Sequence, residues 1–192
     1  ITDDKKLHFG TNKDWSIEYD EDGDDDLKMA GTSLTVTTDT ATFTSANSED
    51  PLVIIKNTTN DANGARLHFI KDKASAVGAD GDDIGVIEFI SDDSGNNQTS
   101  FAKIVGEVSE SFDSDEAGKL SFFVGESNGT TTELTAGLIL EGEHATDGEV
   151  DVTIAAGANS TTTVAGVLTV TSNINAGDDL LFTSSGAVIN FN

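Results

Sequence analysis

Residues 20–26, Asp20-Glu21-Asp22-Gly23-Asp24-Asp25-Asp26, set carboxylates at alternate positions, the spacing at which a loop can offer oxygen ligands to calcium. An EF-hand needs Gly at its sixth position and a bidentate Glu at its twelfth; counted from Asp20 these are Asp25 and Gly31. The run is therefore expected to be a solvated acidic turn that discourages edge pairing, with a cation site of non-EF type in the turn as the alternative. His8, His68 and His144 are scattered, and none has a His or Cys partner three or four residues on. Glycoside hydrolysis needs two carboxylates held roughly 5–10 Å apart in a cleft, but among 35 acidic residues any fold brings such pairs together by accident. No GxSxG elbow or HExxH helix occurs, and Gly118-Lys119 is followed by Leu120 where a phosphate loop requires Ser or Thr. Sequons begin at Asn57, Asn97, Asn128 and Asn159, as chance allows in so Asn- and Thr-rich a chain, and no role is assigned to them. The sequence thus gives no catalytic, cofactor-binding or metal-ligating residue.

The elements around these residues follow one grammar. Short apolar alternations are broken by Asp, Gly and Asn, which tolerate left-handed backbone. Leu7-His8-Phe9 recurs as Leu67-His68-Phe69, and Leu34-Thr35-Val36-Thr37 as Leu168-Thr169-Val170-Thr171. In residues 15–19, Trp15, Ile17 and Tyr19 alternate with Ser16 and Glu18; the first three are expected buried on one face and the other two in solvent. Leu27-Lys28-Met29 reads as the return strand of a hairpin. Leu52-Val53-Ile54-Ile55 is a continuous apolar run of the kind buried on both faces. Strands are expected at 66–70, 85–90, 101–108, 120–124 and 138–140, then at 150–154, 164–170, 180–182 and 188–189. Residues 74–79 alone compete for helix, and they are too short to stand by themselves.

The division expected from these patterns is an N-terminal hairpin module with connector (1–50), a central antiparallel module (51–142) and a Thr/Ala-rich segment (143–192). No charged residue lies between Gly157 and Gly177, and small side chains at near-even spacing suit a β-shaft or solenoid. The fold class expected is all-β: short antiparallel meanders followed by a shaft, intertwined as a homotrimer. Aromatic residues make up only 6% of the 192 residues, too few for a thick monomer core, so identical copies would supply the missing burial. The net charge of −25 opposes binding to nucleic acid or an anionic bilayer. With no cysteine, disulfide staples and thiolate metal sites are excluded. No apolar stretch approaches the ~20 residues of a membrane-spanning helix. Starting at Ile1 rather than Met, the chain is expected to be a processed product or a piece of something longer.

Four stretches together resemble tail-fibre and related fibrous virion proteins of marine tailed bacteriophages. They are the LHF strand with its acidic turn (7–9, 20–26), PLVIIKNTTNDANGARLHF (51–69), DDIGVIEFISDDSGN (82–96), and GKLSFFVGE to GLILEG (118–142). The resemblance implies a homotrimeric β-structure in a virion appendage, joined to other tail proteins and attaching to a host surface glycan or protein. It transfers no functional residue. Neither a collagen-like Gly-x-y run nor a heptad seam is present, so trimerisation rests on the β-shaft. The expected function is adhesion without catalysis or cofactor, with the turns at 91–97 and 126–132 as contact surfaces. A bacterial secreted adhesin or surface filament is the alternative, and a polysaccharide-degrading tailspike a further one.

Overall fold

The computed structural model describes residues 6–20, 26–144, 148–155, 157, 159–175 and 177, with Tyr19, Asp20 and Asp26 described for their backbone only. The structure is all-β, with no helix among the described residues. The chain divides into two units, Ile1–Ala65 and Arg66–Asn192.

The first unit holds a three-stranded antiparallel meander of β1 (Leu7–Phe9), β2 (Trp15–Asp20) and β3 (Asp26–Ala30). Register sets Phe9 opposite Trp15 and Leu7 and Met29 either side of Ile17, so the apolar side chains of three strands share one face. Gly31 lies flat on the Trp15 indole, which leaves no room for a Cβ there. Alternation therefore sorts the side chains as expected, but burial does not follow. Trp15 is only half-buried, Ile17 is exposed, and Ser16 and Glu18 are half-buried rather than solvated. Lys6 Nζ reaches Glu18 at 2.9 Å on that other face, whereas Leu7, Phe9, Leu27 and Met29 stand exposed beside Ile17. Tyr19 lies outside the described side chains.

The second unit holds β4 (Asp83–Asp92), β5 (Gln98–Glu110), β6 (Ala117–Ser127), β7 (Thr132–Gly142) and β8 (Val150–Ile154), paired in chain order as an antiparallel meander. Its two faces differ in kind. One carries the cross-strand row Ile87, Ile104, Phe122, Leu138 and Ile154 and, next to it, Gly85, Gly106, Leu120, Leu140 and Val152. Above these lie Phe89, Ala102, Val124 and Thr135, and below them Val108 and Gly118. No charged side chain interrupts these rows. The opposite face carries Asp83, Glu107, Lys119, Glu141 and Asp151 in a single row.

The best-buried side chains lie on the charged face. Val105 and Ser121, directly paired, are 5% and 4% exposed. Two strand positions to one side, Lys119 ion-pairs with Glu107; two to the other, the Lys103 ammonium sits 4.8 Å from the Phe123 ring centre. Long side chains bracketing a small pair exclude water with their methylene stems while their charges pair above it. Among the described residues the apolar face is approached in two places: Phe69 lies so close over Gly85 that a Cβ there would come within 2.5 Å of it, and residues 159–162 stand near Val124 and Ile154.

Several expected strands are not formed. Residues 66–70 and 164–170 join no sheet, and neither do the Leu34–Thr37 repeat and the apolar run at 52–55. Leu52 and Ile54, expected to be buried on both faces, are 72% and 71% exposed. A strand buried on both faces needs hydrogen-bonding neighbours on each side, and within one copy of the described chain none reaches this run. Residues 180–182 and 188–189 lie outside the described residues. Helix does not form at 74–79, where Ala74 adopts φ 55° and a turn closes from Ala76 N to Lys73 O.

Lys119 is held charged above its ordinary value of 10.5, chiefly by its hydrogen bond to Glu107. It is the lone cation in a row of four carboxylates. Lys119→Ala is expected to destabilise the sheet by about 0.2–1 kcal/mol, the range of a cross-strand charge pair, with a larger loss at low than at high salt. Urea melts of both proteins at two ionic strengths measure it.

Candidate functional site

In an antiparallel meander, alternate connections fall at the same end. The turns after β4 (93–97) and after β6 (128–131) therefore stand side by side, and the two contact surfaces expected from sequence are brought together. Both are exposed and both are internally tied.

In the first, Asp93 N–H donates to the Asn97 carbonyl at 2.9 Å, closing the tip, and Asn96 N–H donates back to the Asp93 carbonyl at 3.0 Å. Asp93 Oδ1 accepts from the backbone N–H of Gly95 at 2.7 Å and of Asn97 at 2.9 Å. Asn96 takes a left-handed φ of 62°, which Asn tolerates better than most residues. The Asn97 backbone N–H, then its side-chain amide, then the Gly95 N–H hold the Asp93 carboxyl below its ordinary 3.8. In the second turn, Asn128 Oδ1 accepts from the backbone N–H of Thr130 and Thr131 at 2.9 and 3.0 Å, and its amide donates to Thr131 Oγ1 at 3.0 Å. Gly129 supplies the left-handed step at φ 89°. These are Asx-type turns, in which a short side chain substitutes for a backbone partner and fixes the loop. Polar, rigid and exposed, the pair can make hydrogen bonds to a polar surface with little ordering cost.

Below the second turn, a groove of about 930 Å³ opens against the apolar face, floored by Val124 and Ile154 and walled by Glu126, Thr135 and residues 160–162. Its one described carboxylate is Glu126, and hydroxyls supply most of the remaining polarity.

The remaining candidates separate. His8 sits in β1 opposite Ser16 and is exposed. His68, expected to be its structural equivalent, lies exposed in a stretch that pairs with no strand. The acidic run falls largely outside the described residues, and no group of three or more His, Asp or Glu placed to hold a metal occurs among those described. β-Pairing gathers carboxylates in two places: Asp83, Glu107, Glu141 and Asp151 stand across an open sheet face with Lys119 among them, and Glu126 stands opposite Glu133 at the tip end of the other face. Asn57, Asn97 and Asn128 spend their amides on Asn63, Asp93 and Thr131.

One pairing left no trace in the sequence. At the opposite end of the sheet, His144 Nδ1 lies 3.2 Å from Asp115 Oδ2, tying the β5–β6 turn to the exit of β7 across 29 residues. No periodicity links two turn residues so far apart.

Compared with models of protein families, with curated proteins and with solved structures, the chain matches none of them.

Asp115 raises His144 above its ordinary 6.5, first through their hydrogen bond and then through charge. A raised folded pKa means the contact stabilises fully below the unfolded value of 6.5 and loses that contribution as pH rises through the folded one. NMR titration is expected to place His144 above the ordinary histidine value of 6.5, and Asp115→Asn to remove most of that rise.

Proposed function

We propose that this chain is a structural and adhesive subunit of a phage tail fibre or related virion appendage, assembled as a homotrimer and attaching to a host surface glycan or protein through the paired turns. The observation that carries this reading is a sheet whose apolar face stays largely open among the described residues of a single copy, while its exposed tips are held by their own hydrogen bonds. The first property suits a chain that completes its layers by association, and the second suits recognition by loops on a fixed scaffold. Exposed Thr- and Ser-rich stretches at 32–47 and 161–175, apolar at intervals and joined to no sheet here, are consistent with shaft-forming segments that pair between copies.

Each contact of such a fibre is weak alone. Three identical tips on one trimer, and several trimers on one virion, engage a surface together, and after the first contact the others act at high effective concentration. Rigid tips suit this mode, because little conformational entropy is lost at each engagement.

The test uses the recombinant oligomer, a panel of marine bacterial cells and their purified surface polysaccharide. Replacing residues 93–97 and 128–131 together by Gly/Ser tips of the same length is expected to abolish cell binding while leaving the oligomer intact. Unchanged binding would make this segment a passive spacer. Release of oligosaccharide would replace adhesion by the degrading-tailspike reading.

A further inference from the structure

We infer that the uncharged face of the β4–β8 sheet is the contact surface between copies of this chain. The inference deepens the trimeric reading above by naming the surface through which the copies meet, and it rests on that reading.

Charge selects this face. A chain of net charge −25 that associates with itself brings like charges together wherever carboxylates line the contact. On the opposite face a second copy would set the row of Asp83, Glu107, Glu141 and Asp151 against its own duplicate. On the apolar face the central rows hold no carboxylate, and the nearest, the cross-strand pair Glu126 and Glu133, stand at one end beyond Val124 and Thr135.

Size and exposure agree. Five strands at ~4.8 Å and four side-chain rows at ~6.8 Å make a footprint of ~650 Å², the order of the ~800 Å² that each partner gives to a standard stable interface. The rows are open where a contact needs them open: Ile154 is 56% exposed, and Leu120, Val124 and Val152 are exposed with it. Glycines on this face let facing layers approach closely; Phe69 already exploits one of them, lying directly over Gly85.

Neighbouring residues on β8 give the test its control. Ile154 lies in the uncharged row with Leu138, whereas Thr153 pairs with Ile139 on the charged face, and both are exposed. Sedimentation of the full chain is expected to give three times the 20.0 kDa chain mass. Ile154→Asp should lower it to the single-chain mass with the β dichroism kept, and Thr153→Asp, which adds the same charge one residue away, should leave it unchanged. Because the chain has no cysteine, Ile154→Cys and Thr153→Cys each introduce one thiol. In the oligomer the first is expected to react with a maleimide at least tenfold more slowly than the second, a readout that survives if Ile154→Asp fails to fold. If the oligomer persists in both Asp variants, or both thiols react alike, the contact lies elsewhere and only the face assignment falls. If both Asp variants dissociate, the face assignment falls as well. A parent chain that sediments as a folded monomer would overturn the trimeric reading along with it.

Discussion

A β-sheet has two faces, and a stable domain covers both. The second unit of this protein treats its two faces differently, and its other features follow from that division. On one face, side chains long enough to bridge strands lean over the Val105–Ser121 pair, so that Lys119 with Glu107 and Lys103 with Phe123 act as a thin polar layer. On the other, short and branched apolar side chains cannot shield one another and require a second layer from outside the sheet. The first unit repeats the arrangement in miniature, with Leu7, Phe9, Ile17 and Met29 on an open face and the Lys6–Glu18 pair on the other.

Charge and burial are consequently partitioned rather than mixed. A net charge of −25 favours solubility while apolar surface is exposed, and Lys119 and Glu107 pair across strands on the opposite face. Lys119 shows how narrow this balance is: one cation moderates the mutual repulsion of a row of carboxylates, and its own protonated state is strengthened in return.

What could be read in the sequence was the local part of this structure. Alternation in Trp15-Ser16-Ile17 correctly sorted the two faces of β2, and Asp and Asn clusters marked both hairpin tips, because those signals depend on neighbours one to four residues apart. The same alternation could not say that Ile17 would remain exposed, since burial depends on what lies opposite. Leu52-Val53-Ile54-Ile55 failed for a related reason: an apolar run states what environment it needs without stating whether one copy of the chain supplies it. The two LHF triplets diverge because a partner strand reaches His8 but not His68. Within the candidate site the turns were legible and their adjacency was not, since adjacency comes from meander order. The Asp115–His144 contact depends on that order too.

The hairpin tips have a consequence for how such a protein can diversify. Each is closed by bonds among its own residues, Asp93 to Asn97 in one and Asn128 to Thr131 in the other. Substitutions at Ser94 or Thr130 alter what the tip displays while leaving those closures and the strand registers in place. Displayed side chains and fold-closing bonds thus occupy separate sets of positions, so the tips can vary in chemistry without disturbing the scaffold that carries them.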